Sequence, residues 1–188
     1  MFDFDLIWKE CVGLGILQLE WEFANLINLL REQKCKTILE IGTSGAGSAR
    51  MFTEIADLVV SMDPYYNANI QYLQKLKSNF IFVHGFSTDK RIENYIQTIC
   101  PQVDCLFIDA DHSNAAVRYD YSNYKKFVKP GGIIAFHDTV ETKKPGEAQV
   151  SFLWKELKTQ YKQYWEFNDP TNINSNCGIG AVKTPEGE

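Results

Sequence analysis

The sequence predicts an α/β fold: a doubly wound, mostly parallel seven-stranded sheet with helices on both faces and an antiparallel last strand. Three observations predict it. Short apolar runs alternate with segments of helical periodicity along the chain. The stretch "TILEIGTSGAGSA" (Thr37 to Ala49) reads as a buried strand, a glycine-rich loop and a helix start. The length, 188 residues, suits one α/β domain spanning 1–188, with no room for a separate substrate domain.

The elements follow in order. "WEFANLINLLREQ" (Trp21 to Gln33) carries apolar residues at helical spacing and belongs to an N-terminal helical segment, 1–35. "TILEI" (37–41) is the first strand, Ala46 to Asp57 a helix, and "LVVSM" (58–62) the second strand. A helix over Ile70 to Lys77 precedes a third strand, "FIFVH" (80–84); a helix over Lys90 to Ile99 precedes a fourth, "VDCLFID" (103–109). In "AAVRYDYSNYKKFVK" (115–129), Val117, Tyr121, Tyr124 and Val128 mark one apolar helix face, and "PGG" (130–132) ends that helix. "IIAFHD" (133–138) is the fifth strand and "VSFLWKELKTQY" (150–161) a helix. "YWEFN" (164–168) and "GIGAVK" (178–183) pair antiparallel at a sheet edge. Strand–helix alternation of this kind means a sheet covered on both faces, with ligands bound beyond the carboxyl ends of the strands.

Composition narrows the function. The formal charge of −5 and the lack of a basic block argue against sequence-independent nucleic-acid binding. Cys11, Cys35, Cys100, Cys105 and Cys177 are odd in number, scattered and without a CxxC pair, which points to reduced thiols in a cytoplasm. The start "MFDFDLIWKE" does not resemble a signal peptide. No apolar run approaches the roughly 20 residues that span a bilayer. The expected setting is cytoplasmic, with a small-molecule partner, no nucleic acid and no membrane.

The loop's chemistry can be read further. A nucleoside-triphosphate loop needs GxxxxGK[ST], and no lysine follows Gly47. A dinucleotide fingerprint needs GxGxxG, whereas Gly42, Gly45 and Gly47 run GxxGxG. Glu40, two residues before Gly42, would repel a pyrophosphate and suits an ammonium or sulfonium. Asp63 ends the second strand, where a carboxylate can accept from both hydroxyls of a ribose. A glycine loop with these two carboxylates suits a positively charged adenosine compound better than NAD.

With "SMDP", "GFSTD", "FIDADHS" and "PGGIIAFHDT" each at a strand end, "LEIGTSGAGSA" resembles the class I S-adenosylmethionine-dependent methyltransferases. Within that group the chain is most similar to the small O-methyltransferase-like branch labelled methyltransferase family 24 or cephalosporin-hydroxylase-like. The likeness runs from about Gly15 to Val182. It implies a Rossmann-like fold and S-adenosylmethionine as cofactor. It implies that Gly42, Thr43, Ser44, Gly47 and Ser48 wrap the methionine part, with Glu40 behind the loop. Asp63 would bind the ribose, Phe86 and Ser87 would flank the adenine, and Asp109 would sit near the sulfonium and amino group.

Methyl transfer to a hydroxyl needs alignment and a base or metal to make the acceptor nucleophilic. Two clusters compete for that role: Asp109, Asp111 and His112 in "DADH", and His137 and Asp138 in "FHD". Both end neighbouring strands, so they can converge. By resemblance to the metal-dependent catechol and caffeoyl-CoA enzymes, Asp109, His137 and Asp138 occupy metal-ligand positions. Relatives carry Asp-Asn or Asp-Asp where this chain has His137 and Asp138. The histidine puts magnesium in doubt and leaves two readings open: a divalent metal, Mg2+ or another, or a metal-free site in which His137 or His112 is the general base. His112 with Ser113 could instead cap a helix, and His137 could simply bond Asp138.

Residues 1–20, 139–149 and 169–176 are left to wall an acceptor pocket. By resemblance, "GLGILQ" (13–18) crosses the cofactor mouth, which makes Gln18 a candidate contact. Tyr65, Tyr66 and Tyr72 read first as surface aromatics, and otherwise as part of the mouth or of a homodimer face. Lys143 and Lys144 read as a solvated loop. The expected activity is O-methylation of a small metabolite, sugar or natural-product intermediate. The alternatives are a cofactor-binding module without catalysis and a nucleotide-dependent dehydrogenase.

Overall fold

The computed structural model describes residues 2–141, 149–169, 171 and 177–187. The segments 142–148 and 172–176, with Lys143 and Lys144 and most of the two expected pocket walls 139–149 and 169–176, lie outside the described residues.

Seven strands form one sheet in the order β3-β2-β1-β4-β5-β7-β6. They are β1 (Thr37–Ile41), β2 (Leu58–Asp63), β3 (Phe80–His84), β4 (Val103–Ile108), β5 (Val128–His137), β6 (Tyr164–Phe167) and β7 (Ile179–Lys183). All neighbours are parallel except those of β7, which inserts antiparallel between β5 and β6. The expected edge pairing of the last two strands is present, and β7 is the inner member of the pair.

Helices α1 (Phe4–Gly13), α2 (Glu20–Glu32), α3 (Gly47–Ile55) and α4 (Ala68–Leu76) cover one face. Helices α5 (Lys90–Ile99), α6 (Asn114–Tyr124) and α7 (Val150–Gln160) cover the other. The central strands are apolar on both faces, as a doubly covered parallel sheet requires. Ile38 turns to the first face and packs in the core with Phe23, Phe52 and Phe107; Leu39 turns to the second, with Val60, Leu106 and Trp154. Phe52 meets Phe107 edge-on at 5.5 Å between ring centroids. Buried aromatics of this size stabilise by roughly 1.5–3 kcal/mol each.

One element differs from expectation. The helix predicted over 115–129 stops at Tyr124 and tightens into a 3₁₀ turn over Lys125–Phe127. Val128 then pairs with Val103, so "PGG" lies inside β5 rather than ending a helix. Register with β4 shifts between Val103 and Cys105, and Gly131 (φ 71) takes up the bulge. A Cβ on Gly132 would stand 2.9 Å from the Asp104 carbonyl, so close backbone approach explains that glycine. Helix α1 was expected only as part of a general helical segment. It is capped by the Asp3 carboxylate, which accepts from Leu6 N.

Among the described residues no helix is long and apolar enough to cross a membrane. None of the five cysteines is in a disulfide.

The chain reverses its winding between β1 and β4. Carboxyl ends of β1, β2, β4 and β5 therefore open onto one crevice, at the switch point where doubly wound sheets bind ligands.

Candidate active site

A cavity of about 650 Å3 fills that crevice, within the usual size of small-ligand sites. The segment Gly15–Gln18, the β1 loop, the end of β2, the turn after β3, and the ends of β4 and β5 line it.

The loop between β1 and α3 is built on close approach. Gly42 has φ 98, and a Cβ there would lie 2.0 Å from the Asp109 carbonyl oxygen. A Cβ on Gly47 would lie 2.7 Å from the Ile16 backbone. These glycines thus admit protein backbone as well as leaving room for a ligand. Ser44 (φ 46) and Ala46 (φ 69) are left-handed without being glycine, at a cost of about 1–2 kcal/mol each. Strain of this kind gathers where a loop is shaped for binding.

Asp63 holds the loop in that shape. Its Oδ2 accepts from the amides of Thr43 (3.0 Å) and Ser44 (2.9 Å), and its Oδ1 from Tyr65 N (2.8 Å). Three of about four lone-pair sites on the carboxylate are therefore used, leaving about one for a ligand hydroxyl.

Glu40 is fully buried behind the loop and does not line the cavity. Ser48 Oγ donates to its Oε1 at 2.5 Å, and Ser61 Oγ donates to Oε2. Burial pushes its carboxyl from the usual 4.5 up to about 8, although both serine hydroxyls pull the other way. A raised folded-state pKa means that ionising Glu40 costs more folded than unfolded. Stability from this group is thus lost as pH rises from about 4.5 through about 8. Glu40→Gln is expected to flatten that loss: its melting midpoint gains on wild type between about pH 5 and about pH 9. A constant offset across that range contradicts the assignment.

The ends of β4 and β5 bring the two predicted clusters together. His112 Nδ1 lies 2.6 Å from Asp138 Oδ2, and its Nε2 3.6 Å from Asp109 Oδ1. His137 Nδ1 lies 3.2 Å from Asp109 Oδ1 and 3.4 Å from Asp138 Oδ1. Gln18 Nε2 donates to Asp109 Oδ2. Asp138 is held at φ 58, which aims its carboxylate between the two imidazoles. His137 is buried, whereas the His112 side chain is 42% exposed at the cavity wall.

Charge is shared across this cluster. Hydrogen bonds to Asp109 and Asp138 push His112 up to about 10 against the effect of burial. Burial disfavours charge on His137, but Asp109 outweighs it, with Cys177 and Asp138 adding, and raises the ring well above its ordinary value. Burial would likewise raise Asp109, yet the two histidines hold it well below the usual carboxylate range.

The other named positions fall as follows. Gly42, Thr43, Ser44, Gly47, Ser48, Asp63, Phe86, Ser87 and Asp109 line the cavity, as do His112, His137 and Asp138. Asp111 accepts from Ser113 N at 2.8 Å, and Ser113 caps α6, so capping falls to these two and leaves the His112 ring for Asp138. Tyr65 lies at the mouth and Tyr66 stacks on Phe82, while Tyr72 is exposed.

Sequence reasoning missed three residues. Asp120 is buried on α6 and lines the cavity beside Ser87; its place on the apolar stripe of Val117, Tyr121 and Tyr124 was a usable signal. Glu22 is buried on α2 and accepts from Asp169 N (3.1 Å) and Gly178 N (2.9 Å), fixing the approach to β7. Cys177, in the cavity wall, had no signal in its spacing.

The sheet order, the left-handed glycine loop and a cavity at the switch point define the class I methyltransferase fold. Residues 39–139 match the Methyltransf_24 model, described as a methyltransferase domain, and the chain belongs to that family. An uncharacterized protein of Acanthamoeba polyphaga mimivirus is 32% identical over 126 residues, covering 61% of this chain and 56% of that one. The O-methyltransferase from Bacillus cereus, solved with S-adenosylhomocysteine, superposes with a TM-score of 0.68 at 18% identity, over 98% of this chain and 92% of that one. MycE from the mycinamycin pathway, solved with Mg, S-adenosylhomocysteine and mycinamycin VI, gives 0.67 at 16% identity, over 98% and 55%. The chain thus spans a little over half the length of the mimivirus protein and of MycE.

Proposed function

We propose that this protein transfers the methyl group of S-adenosylmethionine to a hydroxyl of a small molecule, with His112 as general base. The observation that carries the reading is the 2.6 Å pair of His112 Nδ1 and Asp138 at the wall of a cavity floored by the glycine loop.

In this reading Gly42, Thr43, Ser44, Gly47 and Ser48 receive the methionine part, and Asp63 offers its remaining lone pair to the ribose. Phe86 and Ser87 flank the adenine. Asp109 faces the sulfonium and amino group. The acceptor oxygen attacks the methyl carbon in line, the carbon–sulfur bond breaks, and neutral S-adenosylhomocysteine leaves. Asp138 fixes the His112 tautomer with the proton on Nδ1, so Nε2 takes the acceptor's proton. Before reaction His112 is charged, because Asp109 and Asp138 both pull on it. A sulfonium arriving beside Asp109 shares that pull and lowers the imidazole pKa toward the working range.

Magnesium does not fit the residues present. It asks for near-octahedral oxygen coordination. Here one of the three expected positions is the imidazole of His137, a nitrogen donor where relatives carry a carboxylate oxygen. No step is routed through it.

The test is release of S-adenosylhomocysteine on incubation with S-adenosylmethionine and a panel of catechols, sugars and other polyhydroxylated acceptors. Turnover with at least one hydroxylated acceptor, and none with its deoxy analogue, supports oxygen methylation. Turnover only with amines or carbon acids overturns it. Cofactor binding without any turnover favours the module without catalysis.

A further inference from the structure

The poor fit to magnesium has a positive counterpart. A ring nitrogen of His137, a carboxylate oxygen of Asp138 and Sγ of Cys177 lie within 4.8 Å of one another. Among the described residues, Nε2 of His137 is the one buried side-chain nitrogen or oxygen without a hydrogen-bond partner, on a residue 4% exposed. A buried orphan donor or acceptor costs about 1–3 kcal/mol, so its retention needs an explanation.

From Cys177 onward the backbone is tied to its neighbours. Val140 N donates to the Cys177 carbonyl (3.3 Å) and Thr139 N to that of Gly178 (3.2 Å). The Gly178 amide is tied to the buried Glu22 carboxylate at 2.9 Å. Gly178 has φ 113, and a Cβ there would meet Val140 and Asn168, so the turn admits only glycine without strain. The thiol is therefore delivered to the ends of β5 and β7 by rigid structure, as a built metal site requires.

One nitrogen, one oxygen and one sulfur donor form a borderline-soft set. Such a set favours zinc-like first-row ions over magnesium. Three protein ligands facing a cavity also leave a coordination position open, the pattern of reactive rather than purely structural zinc sites.

We infer that His137, Asp138 and Cys177 form a binding site for a zinc-class divalent transition ion in the wall of the cavity. The site deepens the methyltransferase reading by naming the ion that would stand beside the acceptor, but its ligands do not depend on that reading.

The test is titration of the purified, EDTA-stripped full chain with Co2+, followed by absorption, with Zn2+ and Mg2+ as competitors. The expected result is a saturable sulfur-to-cobalt charge-transfer band that Zn2+ abolishes and excess Mg2+ leaves in place. Cys177→Ser is expected to remove the band and weaken Co2+ binding on the order of tenfold or more, since outer-sphere partners alone are worth 10–100-fold. Circular dichroism and the melting midpoint of the variant serve as controls for folding. Failure of Co2+ to bind, binding without the band, survival of the band in Cys177→Ser, or displacement by equimolar Mg2+ each overturns the site. Calorimetry of the wild type with S-adenosylhomocysteine separates the two readings. Cofactor binding with no Co2+ site defeats this inference alone, and a Co2+ site with no cofactor binding defeats the methyltransferase reading alone.

Discussion

Asp63→Ala is expected to weaken S-adenosylhomocysteine binding about 100-fold or more, close to 2.7 kcal/mol. Asp63 is the tie between the glycine loop and β2, through Thr43 and Ser44 on one oxygen and Tyr65 on the other. Hydrogen bonds to a charged acceptor contribute about 1.5–3 kcal/mol each. Losing three of them frees a loop that holds Ser44 and Ala46 in left-handed conformations. The loop then relaxes, and the ligand must reorder it on binding. Asp63→Asn keeps the shape and one acceptor oxygen but turns an amide NH2 toward backbone N–H donors, so its loss should be intermediate. Calorimetry on both variants checks this ranking, and binding in Asp63→Ala equal to wild type contradicts the role.

His112→Ala is expected to lower kcat/KM by about 10²–10⁴, the usual contribution of a general base, while affinity for the neutral product S-adenosylhomocysteine stays within about threefold. The separation follows from geometry: His112 borders the cavity beyond the end of β4, paired with Asp138, whereas the loop and Asp63 lie at the ends of β1 and β2. In wild type the rate should rise with pH as His112 loses its proton, because its two carboxylate partners place that loss as high as about 10 without ligand. Asp138→Asn should shift the profile to lower pH and reduce the rate, since the amide neither holds the imidazolium nor fixes its tautomer equally well. A pH profile in His112→Ala superimposable on wild type would remove His112 from the chemistry.

Much of this arrangement was legible in the chain. Seven strands were readable because apolar runs alternate with helical periods, and β-branched residues crowd the buried ones. The meeting of Asp109 and His112 with His137 and Asp138 follows from topology alone, since β4 and β5 are neighbours in a doubly wound sheet. Gln18 was marked through the family resemblance alone; it lines the cavity and its amide reaches Asp109.

What stayed hidden has physical causes. "PGG" carries the same local signal whether it ends a helix or bulges a strand, and only the pairing of Val128 with Val103 decides between them. Glu40 reads as a carboxylate facing a cation, yet the alternation along β1 turns it away from the cavity onto Ser48 and Ser61. Glu22 and Asp120 sit on apolar helix stripes, which was a signal of buried carboxylates with a task. Cys177 has no sequence neighbour that marks it; its place beside His137 and Asp138 arises from β7 inserting beside β5, a contact between distant stretches of chain.

We propose that the cavity binds S-adenosylmethionine and its product rather than a dinucleotide. Parallel calorimetric titrations of the purified chain with S-adenosylhomocysteine and with NAD test it most directly. Saturable, one-to-one binding of S-adenosylhomocysteine, a matching rise in melting midpoint, and no heat with NAD are expected. Saturable NAD binding, or no response to S-adenosylhomocysteine at millimolar concentration, would contradict it.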